Sequence, residues 1–203
     1  MKRRLFIFAC SLLIISSNST IFAQKGSFDF YLMGGWSKSC LESYSYPYKG
    51  GGNSGIGIKY HLKDKLYFTS ELAMSMSSKT TIIGEGNRAC TYQRQDYRGT
   101  MGIGYDIINR TFNNTGISVY IQGALGIGNI HSTQPYQWWM DGDNMPWYNT
   151  EKKDFSTLAV SPAVGFDYKI KDMFKIGVTY VGHYLWGMDY NNSVNLKISF
   201  VFD

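Results

Sequence analysis

From Val194 to Phe202 the chain alternates between two kinds of side chain: Val194, Leu196, Ile198, Phe200 and Phe202 are apolar, and Asn195, Lys197, Ser199 and Val201 fall between them. A repeat of two sends successive side chains to opposite faces of a strand, so one face of this stretch is greasy and the other mostly polar. If seven earlier segments share the pattern, the sheet can close on itself, leaving no edge and two chemically distinct surfaces.

They do share it. Strand one, residues 27–37, sets Phe28, Phe30, Leu32, Gly34 and Trp36 against Asp29, Tyr31 and Met33. Strand two, 54–62, sets Ile56, Ile58, Tyr60 and Leu62 against Gly55, Gly57, Lys59 and His61, and strand three, 66–77, sets Leu66, Phe68, Leu72, Met74 and Met76 against Tyr67, Thr69, Glu71 and Ser75. Strand four, 91–107, opposes Tyr97, Met101, Ile103, Tyr105 and Ile107 to Arg94, Asp96, Arg98, Thr100 and Asp106. Strand five, 116–130, carries Ile117, Val119, Ile121, Leu125 and Ile127 on its apolar face. Strand six, 155–170, opposes Leu158, Val160, Val164, Phe166, Tyr168 and Ile170 to Thr157, Ala159, Ser161, Asp167 and Lys169. Strand seven, 173–185, opposes Phe174, Ile176, Val178, Tyr180 and Tyr184 to Lys175, Gly177, Thr179 and His183, and strand eight is 192–203.

The charges decide which face is inside. Arg94, Asp96, Arg98 and Asp106 share one face of one strand, and such charges are costly in a core unless paired. In a narrow lumen they meet partners from other strands. Lys59, Glu71, Arg94, Asp96, Arg98, Lys175 and Lys197, joined by Asp29, His61, Asp106 and His183, give an inward set of both signs. The expectation is a polar network filling the lumen of an all-β, eight-stranded, antiparallel up-and-down transmembrane barrel, too narrow for an open pore. A slip of one residue would aim Arg94, Asp96, Arg98 or Lys197 at lipid, at about 2 to 4 kcal/mol for each midplane Arg or Lys, so register is strongly fixed.

The chain opens with Lys2, Arg3 and Arg4, an apolar run from Leu5 to Ile15, and Ile21-Phe22-Ala23. This reads as a secretory signal cleaved after Ala23, since a spanning helix needs about 20 apolar residues. The barrel domain is then 24–203, and the signal removes three of 20 basic residues, leaving 17 − 15 = +2 from a formal +5. Basicity is thus largely an export feature, and no basic cluster or zinc spacing points to nucleic acid.

Long polar connections, 38–53, 78–90, 131–154 and the shorter 186–191, alternate with tighter ones at 63–65, 108–115 and 171–172. That asymmetry matches a barrel with periplasmic turns and extracellular loops. The apolar faces expect two aromatic girdles: Phe28, Tyr60, Phe68, Tyr105, Tyr168, Phe174 and Phe202 at the periplasmic rim, Trp36, Tyr97 and Tyr184 at the outer one. The signal ending Phe22-Ala23-Gln24, the eight amphipathic strands and the closing Leu196-Lys197-Ile198-Ser199-Phe200-Val201-Phe202 together resemble the small outer-membrane β-barrel domain family of OmpA and OmpX type. The resemblance implies residence in the bacterial outer membrane, contact with its lipid, and a terminal aromatic residue read by the barrel-assembly machinery. Here Asp203 follows Phe202, a departure from that ending.

The remaining candidates lie in the connections. Cys40 and Cys90 fall in two loops on the outer side, where export through an oxidising compartment makes a disulfide between them an expectation. Tyr136, Trp138, Trp139, Trp147 and Tyr148 concentrate in the longest loop and make it the recognition surface for a surface ligand or host partner. Packing of these rings on one another to order the loop is the plainer reading. Asp141-Gly142-Asp143-Asn144 lacks the later bidentate Glu of a calcium loop and reads as a turn. His131 and Ser132 are adjacent, hence on opposite faces, which separates a base from a nucleophile. No cofactor is expected. The function expected is structural or surface-interacting, with a lipid-modifying enzyme and a soluble lipocalin-like barrel as the alternatives.

Overall fold

The computed structural model describes residues 26–39, 50–83, 88–112, 115–138, 147–171, 173–186 and 189–202. Eight strands account for nearly all of them: β1 (Phe28–Ser39), β2 (Gly51–His61), β3 (Leu66–Ile83), β4 (Arg88–Phe112), β5 (Thr115–Trp138), β6 (Trp147–Ile170), β7 (Phe174–Leu185) and β8 (Asp189–Phe202). Each pairs antiparallel with the next, and β8 returns to β1 in a closed barrel. No helix among the described residues is long and apolar enough to cross a membrane.

The register fixes the barrel's shape. From Phe30 the pairing runs through Ile58, Ser70, Met101, Leu125, Val160 and Tyr184 to Tyr190, whose neighbour Asn191 faces Ser39. The circuit therefore closes ten positions further along β1 than it began (40 − 30). Eight strands with that stagger tilt by about 40° and enclose a radius of about 8 Å, a lumen that side chains can fill.

The two faces sort as the alternation expects. Leu72, Met101, Leu125 and Leu196 are the kind of side chain exposed on the outer wall, each at 60% or more, whereas Asp29, Lys59, Arg98, Asp167 and Lys197 are buried inside at 3% or less. Aromatics collect at both rims: Phe28 meets Phe202 at 6.3 Å and Phe174 meets Phe200 at 5.7 Å below, and Tyr184 meets Trp186 at 6.3 Å above. Between them lies an aliphatic belt with no charged residue facing outward from β8's Val194, Leu196 and Ile198.

Strand lengths depart from the sequence reading. β3 and β4 continue pairing to Ile83 and Arg88, so most of the segment expected as a loop at 78–90 is ribbon, and Cys90 sits on β4 opposite Thr81. β5 and β6 stay paired to Trp138 and Trp147, so the expected loop at 131–154 is largely a two-stranded arm. The physical reason is that the backbone ladder does not require an apolar–polar alternation, so pairing persists after the alternation in the sequence has ended. The connection at 108–115 is also mostly strand, with an irregularity between Asp106 and Ile108 that absorbs an extra residue. Lys171 turns the β6–β7 connection with a φ of 56°.

Candidate functional site

Two regions concentrate chemistry: the filled lumen and the arms that rise from it. In the lumen, alternate residues of all eight strands converge. Acids Asp29, Glu71, Asp96, Asp106 and Asp167 face bases Lys59, Arg94, Arg98, Lys175 and Lys197, and Lys169 lines the end cavity beside Lys175. Mixed signs are what a low-dielectric interior demands, because a buried charge there needs a counter-charge.

The pairs form three layers. At the end where Phe28 meets Phe202, Lys175 donates to Asp29 at 2.6 Å, His61 lies 3.5 Å from the same carboxylate, and Ser118 donates to Asp106 at 3.0 Å. In the middle, Asp167 receives two lysines, Lys197 at 2.7 Å and Lys59 at 3.5 Å. Lys197 also donates to the Tyr120 hydroxyl at 2.8 Å, while the Lys59 ammonium stands 3.6 Å from the Tyr120 ring centre and 4.5 Å from that of Tyr67. Tyr31 donates to Glu71 at 3.0 Å. Toward the outer end Arg94 binds Asp96 at 2.7 Å, Asn191 donates to Asp96 at 2.9 Å, and Arg98 reaches Asn53, which in turn donates to Asn195 at 2.8 Å. His183 bridges Ser161 and Ser193 at 3.1 and 3.2 Å.

Three tyrosines plug the middle because glycines make room for them. Tyr31, Tyr67 and Tyr120 each lie over the glycine paired beside them, Gly57, Gly104 and Gly165, and a Cβ on any of those glycines would overlap the ring. Cavities of about 50 Å³ near His61 and Asp106 and about 10 Å³ near Arg94 and Asp96 lie at opposite ends. Between them Tyr67 and Tyr120 are fully buried. Replacing Gly165 by Val is therefore expected to destabilise the barrel by about 1 to 3 kcal/mol through overpacking against Tyr120. The urea midpoint in detergent micelles measures it, and an unchanged midpoint would mean the ring is free to move aside.

All seven residues of the expected lumenal network, Lys59, Glu71, Arg94, Asp96, Arg98, Lys175 and Lys197, face inward. Asp167 was visible as an inward residue of its strand, yet its role as shared acceptor was not, since pairing across the lumen joins β2, β6 and β8, strands distant in sequence. Likewise Asn53 and Asn195, 142 positions apart, carry no signal of their pairing in the sequence.

The arms are the second region. β2 stops pairing with β3 at Ser77, and β4 stops pairing with β5 at Thr133, while β7 stops pairing with β6 at Ala159. Trp186 adds one bond to Leu158. Below Leu158 in number, β6 has no strand neighbour on that side among the described residues, although β5 remains paired to it as far as Trp147. About 11 residues of open edge result, roughly 36 Å of strand. On the backbone, Tyr136 pairs with Asn149, Tyr148 with Gln137 and Trp138 with Trp147. Trp139, Cys40 and Asp141-Gly142-Asp143-Asn144 lie outside the described residues. His131 faces outward and contacts Asp154 at 2.6 Å, whereas Ser132 is buried on the lumenal face. No group of three metal-ligating side chains occurs among the described residues.

No protein-family model matches this chain, and no curated protein matches it. Solved structures do. Ail, the attachment invasion locus protein of Yersinia pestis, in complex with the heparin analogue sucrose octasulfate, aligns with a TM-score of 0.55 at 12% identity over 88% of this chain and 100% of Ail. Neisserial surface protein A aligns with a TM-score of 0.58 at 11% identity over 88% of this chain and 98% of its own. OprG of Pseudomonas aeruginosa gives 0.51 at 12% over 88% and 97%. Identity that low speaks to fold, and the fold is that of the small eight-stranded outer-membrane barrels.

Proposed function

We propose that this chain is a bacterial outer-membrane barrel that recognises a ligand or host partner at the cell surface through its projecting arms, the β5–β6 arm foremost. The observation that carries the reading is that arm: a ribbon paired out to Trp138 and Trp147, well past the last residues that β4 and β7 support. The lumen is filled by its own side chains, Tyr67 and Tyr120 among them, and paired ribbons are better platforms for contact than loose loops because less order is lost on binding. Similarity of fold to an attachment protein is consistent with the reading.

Export follows the signal cleaved after Ala23, and the barrel-assembly machinery reads the strand that ends at Phe202. Catalysis has no support in the outward pair His131 and Asp154, whose sequence neighbour Ser132 points the other way. Ser156, the hydroxyl two residues from Asp154 on their own face, is engaged by Asn129.

The test replaces residues 134–149 by a two-residue turn. Expected are a protein that still fractionates with the outer membrane and still migrates as a compact species before boiling, and cells that lose adherence to a host-cell monolayer. Adherence equal to that of the intact protein would remove the arm from the function. Exchanging both Trp138 and Trp139 for Ala should give most of the same loss. The same reading includes a Cys40–Cys90 bridge tying two outer connections. Thiol titration of the denatured, unreduced protein should then find no reactive thiol in the mature chain, and two would rule the bridge out.

A further inference from the structure

The outer wall is not uniformly convex. Across β1 to β5 it carries a groove of about 1050 Å³, walled by Leu32, Ile56, Leu72, Met101, Leu125 and Ile127 and floored at Gly99. This is at the upper end of the size of small-molecule sites. Gly99 takes an outward position between Arg98 and Thr100, which are both buried in the lumen, and a Cβ built on it would meet only a Leu72 methyl at 3.4 Å. The groove therefore exists because the sequence places the smallest side chain where its neighbours are large.

The groove's position identifies a leaflet. Along β4 it runs from Met101 to Tyr97, about 13 Å of strand, roughly half of an apolar band about 25 Å tall. Tyr97 belongs to the outer aromatic girdle, so the groove occupies the outer half.

Immediately beyond its outer end, on the same face, stands a polar cluster. Tyr97 and Asn129 line the groove and are paired across β4 and β5. Two residues further out, Gln95 pairs with His131, and β6 places Ser156 opposite Asn129 and Asp154 opposite His131. The cluster is held by its own bonds: Tyr97 donates to the Gln95 amide oxygen at 3.1 Å, Ser156 donates to the Asn129 amide oxygen at 2.7 Å, and His131 contacts Asp154 at 2.6 Å. The rings of Tyr97 and His131 meet edge to face at 5.6 Å. Those bonds use the amide oxygens of Gln95 and Asn129, and the same two amides also carry N–H donors.

We propose that the groove and this cluster are one site for an acylated saccharide lipid of the outer leaflet, its chains against Gly99 and its sugar on Gln95, Asn129, His131 and Asp154. Amides, a hydroxyl, a carboxylate and aromatic rings match a sugar, which both donates and accepts and offers flat faces for stacking. Phosphate is common to lipid A and to phospholipids, so the amides, the hydroxyl and the rings that suit a sugar are what set the preference between them. The inference rests on the outer-membrane reading above.

The experiment refolds the full chain into detergent micelles and measures retention of purified lipid A and of phosphatidylglycerol by native mass spectrometry. Wild type is expected to retain lipid A at least tenfold over phosphatidylglycerol. Gly99→Leu, which fills the groove, and the pair Gln95→Ala with His131→Ala, which strips the cluster, should each lower lipid A retention about tenfold. The arm deletion described above should leave it unchanged. Ser70→Leu, on the groove's far wall, serves if Gly99→Leu does not fold. Equal retention of the two lipids, or retention that none of these changes alters, overturns the site. Gel migration before boiling and insertion into vesicles separate the two ideas. A barrel that inserts but holds no lipid A refutes this inference and leaves the surface role standing, whereas a chain that never enters membranes refutes both.

Discussion

Asp167→Asn is expected to cost the folded barrel about 3 to 5 kcal/mol, the penalty for stranding buried charge. Asp167 is the one carboxylate that receives both Lys197, at 2.7 Å, and Lys59, at 3.5 Å, and all three side chains are at most 4% exposed. An asparagine keeps the shape and an acceptor oxygen but leaves two ammonium groups in the lumen without their shared counter-ion. Tyrosine faces soften the loss around Lys59, but a cation over a ring gains only about 0.5 to 2 kcal/mol. Urea unfolding in lipid vesicles gives the number. Adding Lys197→Met to Asp167→Asn removes one of the stranded charges and should recover part of the loss. By contrast, Asp29→Asn should cost less, since its partner Lys175 is 16% exposed and keeps part of its hydration. An Asp167→Asn protein as stable as wild type would mean that the pairing of these lumenal charges contributes nothing, and the account of the interior would fail with it.

Leu196→Arg is expected to cost about 2 to 4 kcal/mol, whereas His131→Arg should cost about 0 to 1 kcal/mol, because an outward charge is penalised by its depth in the bilayer. Leu196 lies six residues from Phe202 at one rim and six from Tyr190 near the other. It is 66% exposed on the wall between Gly34 and Val178. His131 faces the same side but beyond Tyr97 and the outer aromatics. In water both changes would be nearly neutral surface substitutions. The difference between them therefore reports the solvent of the outer wall, measured by the same vesicle unfolding. Two equal and small costs would place that wall in water and remove the membrane from the description of this protein.

The barrel core was legible because each spanning strand separates two solvents. Phe28 against Asp29, Ile56 against Gly57 and Leu196 against Lys197 are local contrasts, and a reader needs no distant contact to see them. Where that contrast ends, so did legibility: residues 78–83 and 134–138 are strand, yet nothing in their order of side chains marks them as such. The lumenal residues could be named but not matched. Arg94 and Asp96 are two positions apart and pair, while Asp96 also takes Asn191 from the far end of the chain. The groove at Gly99 was less visible still, since it is made by what five strands bring together around one glycine.

The order of residues thus determined the number of strands, the direction each faces and the separation of charge from grease, since all three follow from a period of two and from the cost of putting Arg94 or Lys197 into lipid. Tertiary structure alone decided which acid holds which base, how far the arms rise above the membrane, and where the wall is hollow. Those properties depend on the stagger at which β8 meets β1. A closed sheet sets that stagger once, for all eight strands together, and no single strand contains it.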